Sequence, residues 1–347
     1  MATPAPRSAC SPCAAALALL LGGSAPAQAT RPAAGLGAVH QHLLDLVGDF
    51  EGRWEGRLPA GSAPPVITRR GTLLGAGRAV VVVETFRSAR ERRESVLLIT
   101  LAPGGSGAFL AAFDPATGMR TMRGAWDPGR EAMVWRPEEE ALKDTSWVEE
   151  EILAGGAVRS RAMRRRGAQT MTTSATLFVR RVPTATQVAV EAAEEPTARN
   201  TRGLAPDLFA GHWLGGQGDS RDSGWEVEAG SCLGGEALWF VLRSTGAERV
   251  LETVGLMGRM KGSTTLRILI VPEDLEGAVP RQVVARMQGD AHVLLITSAV
   301  PGGSPRPHLV PCTWTLDDDT WIWAWPAHGK PAWAPEAEAE LVLRRRR

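Results

Sequence analysis

The segment Leu46-Val47-Gly48-Asp49-Phe50-Glu51-Gly52 decides how this chain is read, because it returns as Phe209-Ala210-Gly211-His212-Trp213-Leu214-Gly215. Each copy places a Gly-x-aromatic-x-Gly step after an apolar pair. Each is followed by a glycine turn and an apolar strand, at Leu74-Gly75-Ala76-Gly77 in the first half and Leu233-Gly234-Gly235 in the second. Both halves close on an alternating strand that ends in arginine, Ala175 to Arg180 and Ala339 to Arg344. The repeat is far longer than a solenoid unit and predicts two homologous domains. The 347 residues suffice for two domains that each bury a core.

Within each half the pattern is nearly all β. Val80 to Phe86 and Ser95 to Leu101 are apolar, β-branched runs. Phe109 to Phe113 leads into Asp114-Pro115-Ala116-Thr117-Gly118, a turn signal, and Met119 to Trp126 reads as the return strand. Short strands joined by hairpins predict an all-β fold of two tandem antiparallel up-and-down barrels. His40, Leu43, Leu44 and Val47 have helical spacing, which predicts a short helix before the first barrel. Val182 to Pro206 turns to Pro, Thr, Ala and Glu without an aromatic residue and reads as a linker. The expected order is a spacer at 30–39, a barrel at 40–181, the linker at 182–206 and a second barrel at 207–347, with the two barrels separable.

The first 29 residues have the pattern of a secretory signal: Arg7, the apolar run Ala14 to Leu21, and Ala27-Gln28-Ala29 as a small-x-small cleavage site. An exported protein starting near Thr30 is expected, in the periplasm or secreted. The apolar run is too short to span a membrane as a helix, and no later segment is long enough. Net charge is +1, which argues against a nucleic-acid binder held by phosphate contacts. Cleavage leaves Cys232 and Cys312. They form either a disulfide closing a loop of about 80 residues or a pair of buried thiols, and sequence leaves both open.

Several motifs together resemble an uncharacterised bacterial lipocalin-like family, domain of unknown function 1579. They are His40-x-x-Leu43-x-x-Leu46-Val47-Gly48-x-Phe50, Leu74-Gly75-x-Gly77-Arg78, Phe113-Asp114-Pro115-x-Thr117-Gly118 and Trp126-Asp127. The resemblance covers most of residues 40 to 181; the second half looks like a diverged sister that lacks the Phe-Asp-Pro-x-Thr-Gly hairpin. It implies a calycin-type barrel in which the opening aromatic residue packs under the barrel and an arginine of the last strand lies across it. That pairs Phe50 or Trp54 with Arg180, and Trp213 with Arg344, as cation–π contacts at the closed end. A related barrel, nitrobindin, holds haem through a histidine about seven residues before the closing arginine. Thr173 and Ala337 stand there in this chain, so no haem is expected, and no other cofactor is predicted.

The candidate ligand-binding residues are tryptophans. Cys312, Trp314 and Leu316 alternate on one strand, Trp321, Trp323 and Trp325 on the next, with Asp317-Asp318-Asp319 between. A two- or four-residue loop pairs Trp314 with Trp323 and Leu316 with Trp321, putting the side chains on one face. That face is ordinary core, the wall of a pocket joined by Trp239, or an exposed patch that meets a partner. Among the six histidines, His40 and His42 point apart on a helix, and no set of residues has the spacing of a metal site. The acidic runs Glu138–Glu140 and Glu149–Glu151 and the basic run Arg159–Arg166 read as charged outer faces and hairpin tips. No catalytic residues are predicted. The expected role is non-covalent binding of a small apolar or aromatic molecule, chiefly in the second barrel. A structural or protein-interaction module with filled barrels is the alternative, and a cyclase- or isomerase-type barrel the third reading.

Overall fold

A computed structural model describes residues 37–58, 62–75, 77–89, 91–102, 107–138, 145–181, 206–216, 224–244, 252–261, 263, 265–272, 281–287, 293–297, 312–317, 319–324 and 340–346. The leader and most of the linker expected from sequence lie outside these residues. The first half contains α1 (Ala38–Asp45) and strands β1 (Gly48–Trp54), β2 (Val66–Leu74), β3 (Ala79–Arg87), β4 (Arg92–Leu101), β5 (Ala108–Asp114), β6 (Gly118–Asp127), β7 (Ala132–Pro137), β8 (Ser146–Ile152), β9 (Val158–Arg166) and β10 (Gln169–Arg180). The second contains β11 (Gly211–Gly216), β12 (Gly224–Cys232), β13 (Ala237–Ser244), β14 (Glu252–Arg259), β15 (Thr265–Pro272), β16 (Arg281–Met287), β17 (Val293–Thr297), β18 (Cys312–Asp317), β19 (Thr320–Ala324) and β20 (Glu340–Arg345).

In the first half each strand pairs antiparallel with its sequence neighbours and β10 returns to β1, so the meander closes into a barrel. The second half is an antiparallel sheet in the same consecutive order. It curls until β20 comes back to β11, through Trp213↔Arg345, Leu214↔Arg344 and Gly215↔Leu343. Among the described residues no helix is long and apolar enough to cross a membrane.

Alternation along the strands sorts side chains into an inside and an outside. Phe50, Val80, Val82, Ile99, Trp135 and Phe178 fill the first barrel, and α1 seals one end of it with Val39, Leu43 and Leu46. The helix lies where the spacing predicts, but it buries Val39, His42 and Leu43. The buried face is turned from the one the spacing marks, because the His42 ring is drawn in to a carboxylate.

Both halves carry an aromatic–arginine contact where the last strand returns to the first. In the first barrel Phe50 pairs with Arg180 across β1 and β10, and the Arg180 guanidinium lies 4.9 Å from the Phe50 ring centroid. Arg180 also donates to the carbonyls of Val47 (2.7 Å) and Asp45 (3.2 Å). Trp54 is not part of this contact; it sits opposite Thr176. In the second sheet the partner of Trp213 is Arg345, 4.5 Å from its ring, and not Arg344. Leu341 and Leu343 point inward, so strand parity sends Arg345 inward with them and leaves Arg344 exposed.

A third apolar cluster joins the halves. Val81, Val96, Leu98, Ala111 and Phe113 on the outside of the first barrel meet Trp239, Val241, Val254, Leu256, Leu269 and Val271 on the outside of the second sheet. The Asp114–Gly118 turn docks here: the Lys261 N–H donates to the Pro115 carbonyl at 2.9 Å. A Cβ on Gly258 would fall 2.6 Å from the Phe113 ring, so the backbone of β14 approaches that ring only because the residue is glycine. The two halves therefore pack back to back through the outer faces of β3–β5 and β13–β15.

Candidate functional site

The tryptophan face forms in the register expected, with Trp314 opposite Trp323 and Leu316 opposite Trp321. It points inward. Trp314, Trp321, Trp323 and Trp213 are each at most 1 % exposed. Trp314 stacks on Trp323 at 4.6 Å between centroids, Trp321 meets Trp213 edge-on at 5.6 Å, and Phe209 and Phe240 close the cluster. These rings fill one another's faces. Trp239 does not join them. It lies on the opposite parity, in the seam against the first barrel, with its indole over Gly230. Trp325 lies outside the described residues.

Cys232 is a free thiol, so the bridge to Cys312 weighed from sequence is not formed. Burial pushes the Cys232 thiol up to about 12, which keeps it protonated and unreactive.

The first barrel holds a group of residues that its sequence does not advertise. Arg69 on β2, Glu84 on β3, Glu150 on β8 and His42 on α1 converge inside the barrel. Arg69 donates to Glu84 (2.7 Å) and to Glu150 (3.0 Å), with its guanidinium 4.0 Å from the Phe178 ring centroid. Glu150 also accepts from the Trp135 indole at 2.9 Å and faces His42 Nε2 at 3.3 Å. Arg69, His42 and Glu150 are each no more than 4 % exposed. Burial by itself would raise the Glu150 carboxyl, but Arg69, with His42 and Trp135 as hydrogen-bond partners, holds it down at about 2. Burial likewise works against the charge on Arg69, and Glu84 and Glu150 outweigh it. His42 Nδ1 has no hydrogen-bond partner among the described residues.

Glu149 and Glu150 are thus buried, not members of an exposed acidic run. Strand parity separates them. Glu150 goes into the barrel, while Glu149 stays on the outside, covered by Arg130, Arg161 and the Trp147 indole, which donates to it at 2.9 Å. A usable signal was present: Arg69 shares parity with the buried Ile67, and Glu84 with Val80 and Val82.

Beside this network the barrel wall is hollowed. A concavity of about 880 Å³ lies against β5, β6 and β7 and their adjoining turns. Phe109, Val134 and Trp126 supply its apolar surface, and Arg123, Arg130 and Arg136 its charge. Trp126 belongs to both features, since its ring lies 6.5 Å from the His42 imidazole. Arg123 is held by Glu138 at 2.7 Å and lies over Phe109 at 5.1 Å. Arg130 reaches Asp127 at 3.4 Å and also bonds Glu149. Arg136 lies over Trp147 at 5.6 Å. Nothing in sequence marks this hollow, because its lining mixes outward positions such as Phe109, Arg123, Val134 and Arg136 with inward ones such as Ala108 and Trp126.

Comparison with protein families and with curated proteins finds no match to this chain. Among the described residues no cluster of His, Cys, Asp or Glu is arranged to hold a metal ion.

Proposed function

We propose that this is a non-covalent small-molecule binding protein made of two tandem lipocalin-like barrels, the second diverged from the first. On this reading the binding site is the hollow on the first barrel, and the second barrel is a filled brace. The observation that carries it is the concavity of about 880 Å³ with apolar walls and arginines at its rim. Ligand sites are typically of roughly 300–1,000 Å³, mostly apolar, with a few placed polar groups. Among the described residues the tryptophan rings are packed on each other's faces. Resemblance to the lipocalin-like family supports the assignment of both halves to one fold, and the leader pattern supports export with a mature start near Thr30.

The test uses the full-length protein and a neutral apolar fluorescent probe. Saturable binding is expected, and Ala125→Trp should abolish it without lowering the melting temperature. Ala125 is exposed on β6 and lines the hollow, so an indole there occupies the space without entering the core. Binding that survives Ala125→Trp and disappears with Trp323→Ala would return the site to the second barrel. A second reading, a structural or interaction module, draws on the filled tryptophan core and the inter-barrel seam. It predicts no saturable probe binding at all.

A further inference from the structure

The rim of the hollow has an unbalanced electrostatic arrangement. Arg123 and Arg136 are direct cross-strand neighbours on β6 and β7. Like charges in that position repel, and a sheet carries them at a cost unless something neutralises them. Glu138 neutralises Arg123. Arg130 is committed to Asp127 and Glu149. Arg136 is exposed, and among the described residues its contact is the Trp147 ring, with no carboxylate. A ring beneath a guanidinium fixes its plane and leaves its N–H fork pointing away, which is the geometry that receives a carboxylate through two parallel hydrogen bonds. Among the described residues, Asp127 and Glu138 are the carboxylates in the lining, against three guanidinium groups. The walls next to this fork, Phe109, Ala125 and Val134, are apolar.

Building on the hollow as the binding site, we infer that its ligand is a small aromatic carboxylate. Its anion is held by Arg136 and its ring lies against Phe109 and Val134, which share the outward face with that arginine. Arg123 and Arg130 contribute field at the rim, while their own partners keep them from competing for the anion. The exposed fork also implies that the anionic end enters last and stays near water, where a charge is least costly to place.

The experiment compares 2-naphthoate with its neutral amide, 2-naphthamide, on the full-length protein by calorimetry. Naphthoate should bind at least about tenfold more tightly, the scale of one charge-assisted hydrogen bond. Arg136→Gln should remove that preference, with naphthoate losing affinity by more than naphthamide in a protein that still melts cooperatively. Arg136→Lys, which keeps the charge and loses the fork, should fall between. Ala125→Trp should abolish both. Equal affinities for the two probes, both lost in Ala125→Trp, would overturn the anion inference and leave the binding site standing. A naphthoate preference that persists in Arg136→Gln would overturn the role of Arg136. Binding of neither probe would overturn the inference together with the reading on which it rests.

Discussion

At the scale of single residues, the most constrained group is the Glu150 carboxylate, with Arg69, His42 and Trp135 all bonded to it inside the barrel. Its pKa is depressed from 4.5 to about 2. A depressed carboxylate contributes stability that is fully present above its unfolded pKa and is lost as pH falls through its folded pKa. Stability measured by urea unfolding should therefore decline between about pH 4.5 and 2, and Glu150→Gln should flatten that decline. At pH 7 the same substitution should cost about 3 kcal/mol, because it leaves Arg69 buried with half its compensation. An unchanged acid profile in Glu150→Gln would show that other carboxylates govern it. The plug of the second sheet is a second case. Arg345→Ala should destabilise by about 0.5–2 kcal/mol, while Arg344→Ala, on an exposed side chain, should be close to neutral by thermal melting. The run Leu343-Arg344-Arg345-Arg346 offers several arginines in sequence, and only the pairing of β20 with β11 selects one.

At the scale of elements, the β18–β19 hairpin shows how a correct register leaves a function undecided. Asp317 pairs with Thr320, so the tight turn puts Trp314, Leu316, Trp321 and Trp323 on one face. Which side of the sheet that face occupies is set by the other strands. Because the face is core, Trp323→Ala should lower stability by about 3–5 kcal/mol and leave probe affinity at the first barrel unchanged. A tenfold loss of affinity without a drop in melting temperature would contradict this. Strand β2 shows the opposite difficulty. Its stretch Val66-Ile67-Thr68-Arg69-Arg70-Gly71 sets two adjacent arginines in a β-branched run. Arg69 points inward and is 4 % exposed, while Arg70 pairs with Asp49 on the outside at 2.7 Å. A charged residue at an inward position is tolerated only when partners from other elements reach it, and those partners are Glu84 and Glu150.

At the scale of the whole molecule, the seam changes what the repeat means. β14 is buried from Glu252 to Gly258, and Ala79 to Val82 at the start of β3 are buried in succession. Strands covered on both faces lose the alternation expected of a barrel wall facing water. The expectation of two separable domains follows from the linker, but separation would expose Phe113, Trp239, Val254 and Leu256 together. Fragments 30–185 and 203–347 should therefore self-associate or aggregate when expressed apart, and form a one-to-one complex when co-expressed. Two monodisperse fragments without affinity for each other would show that the seam contributes little. Gly258→Val should loosen the seam, since its side chain would meet the Phe113 ring.

Read alone, the sequence determined the β class, the doubling, the helix before the first barrel, the Asp114–Gly118 turn and the tryptophan register. All of these are local or periodic: a turn residue, an alternation, or a motif that recurs in order along the chain. Tertiary structure decided the rest. It brought His42, Arg69, Glu84 and Glu150 from four separate elements to one point, chose Arg345 over Arg344, and sent Trp239 to the seam instead of the tryptophan core. It also opened the hollow between Phe109, Val134 and Arg136. Strand alternation tells which residues share a face. Whether that face meets the barrel interior, the sister domain or an open concavity depends on how the sheet curls and what packs against it, and no single strand carries that information.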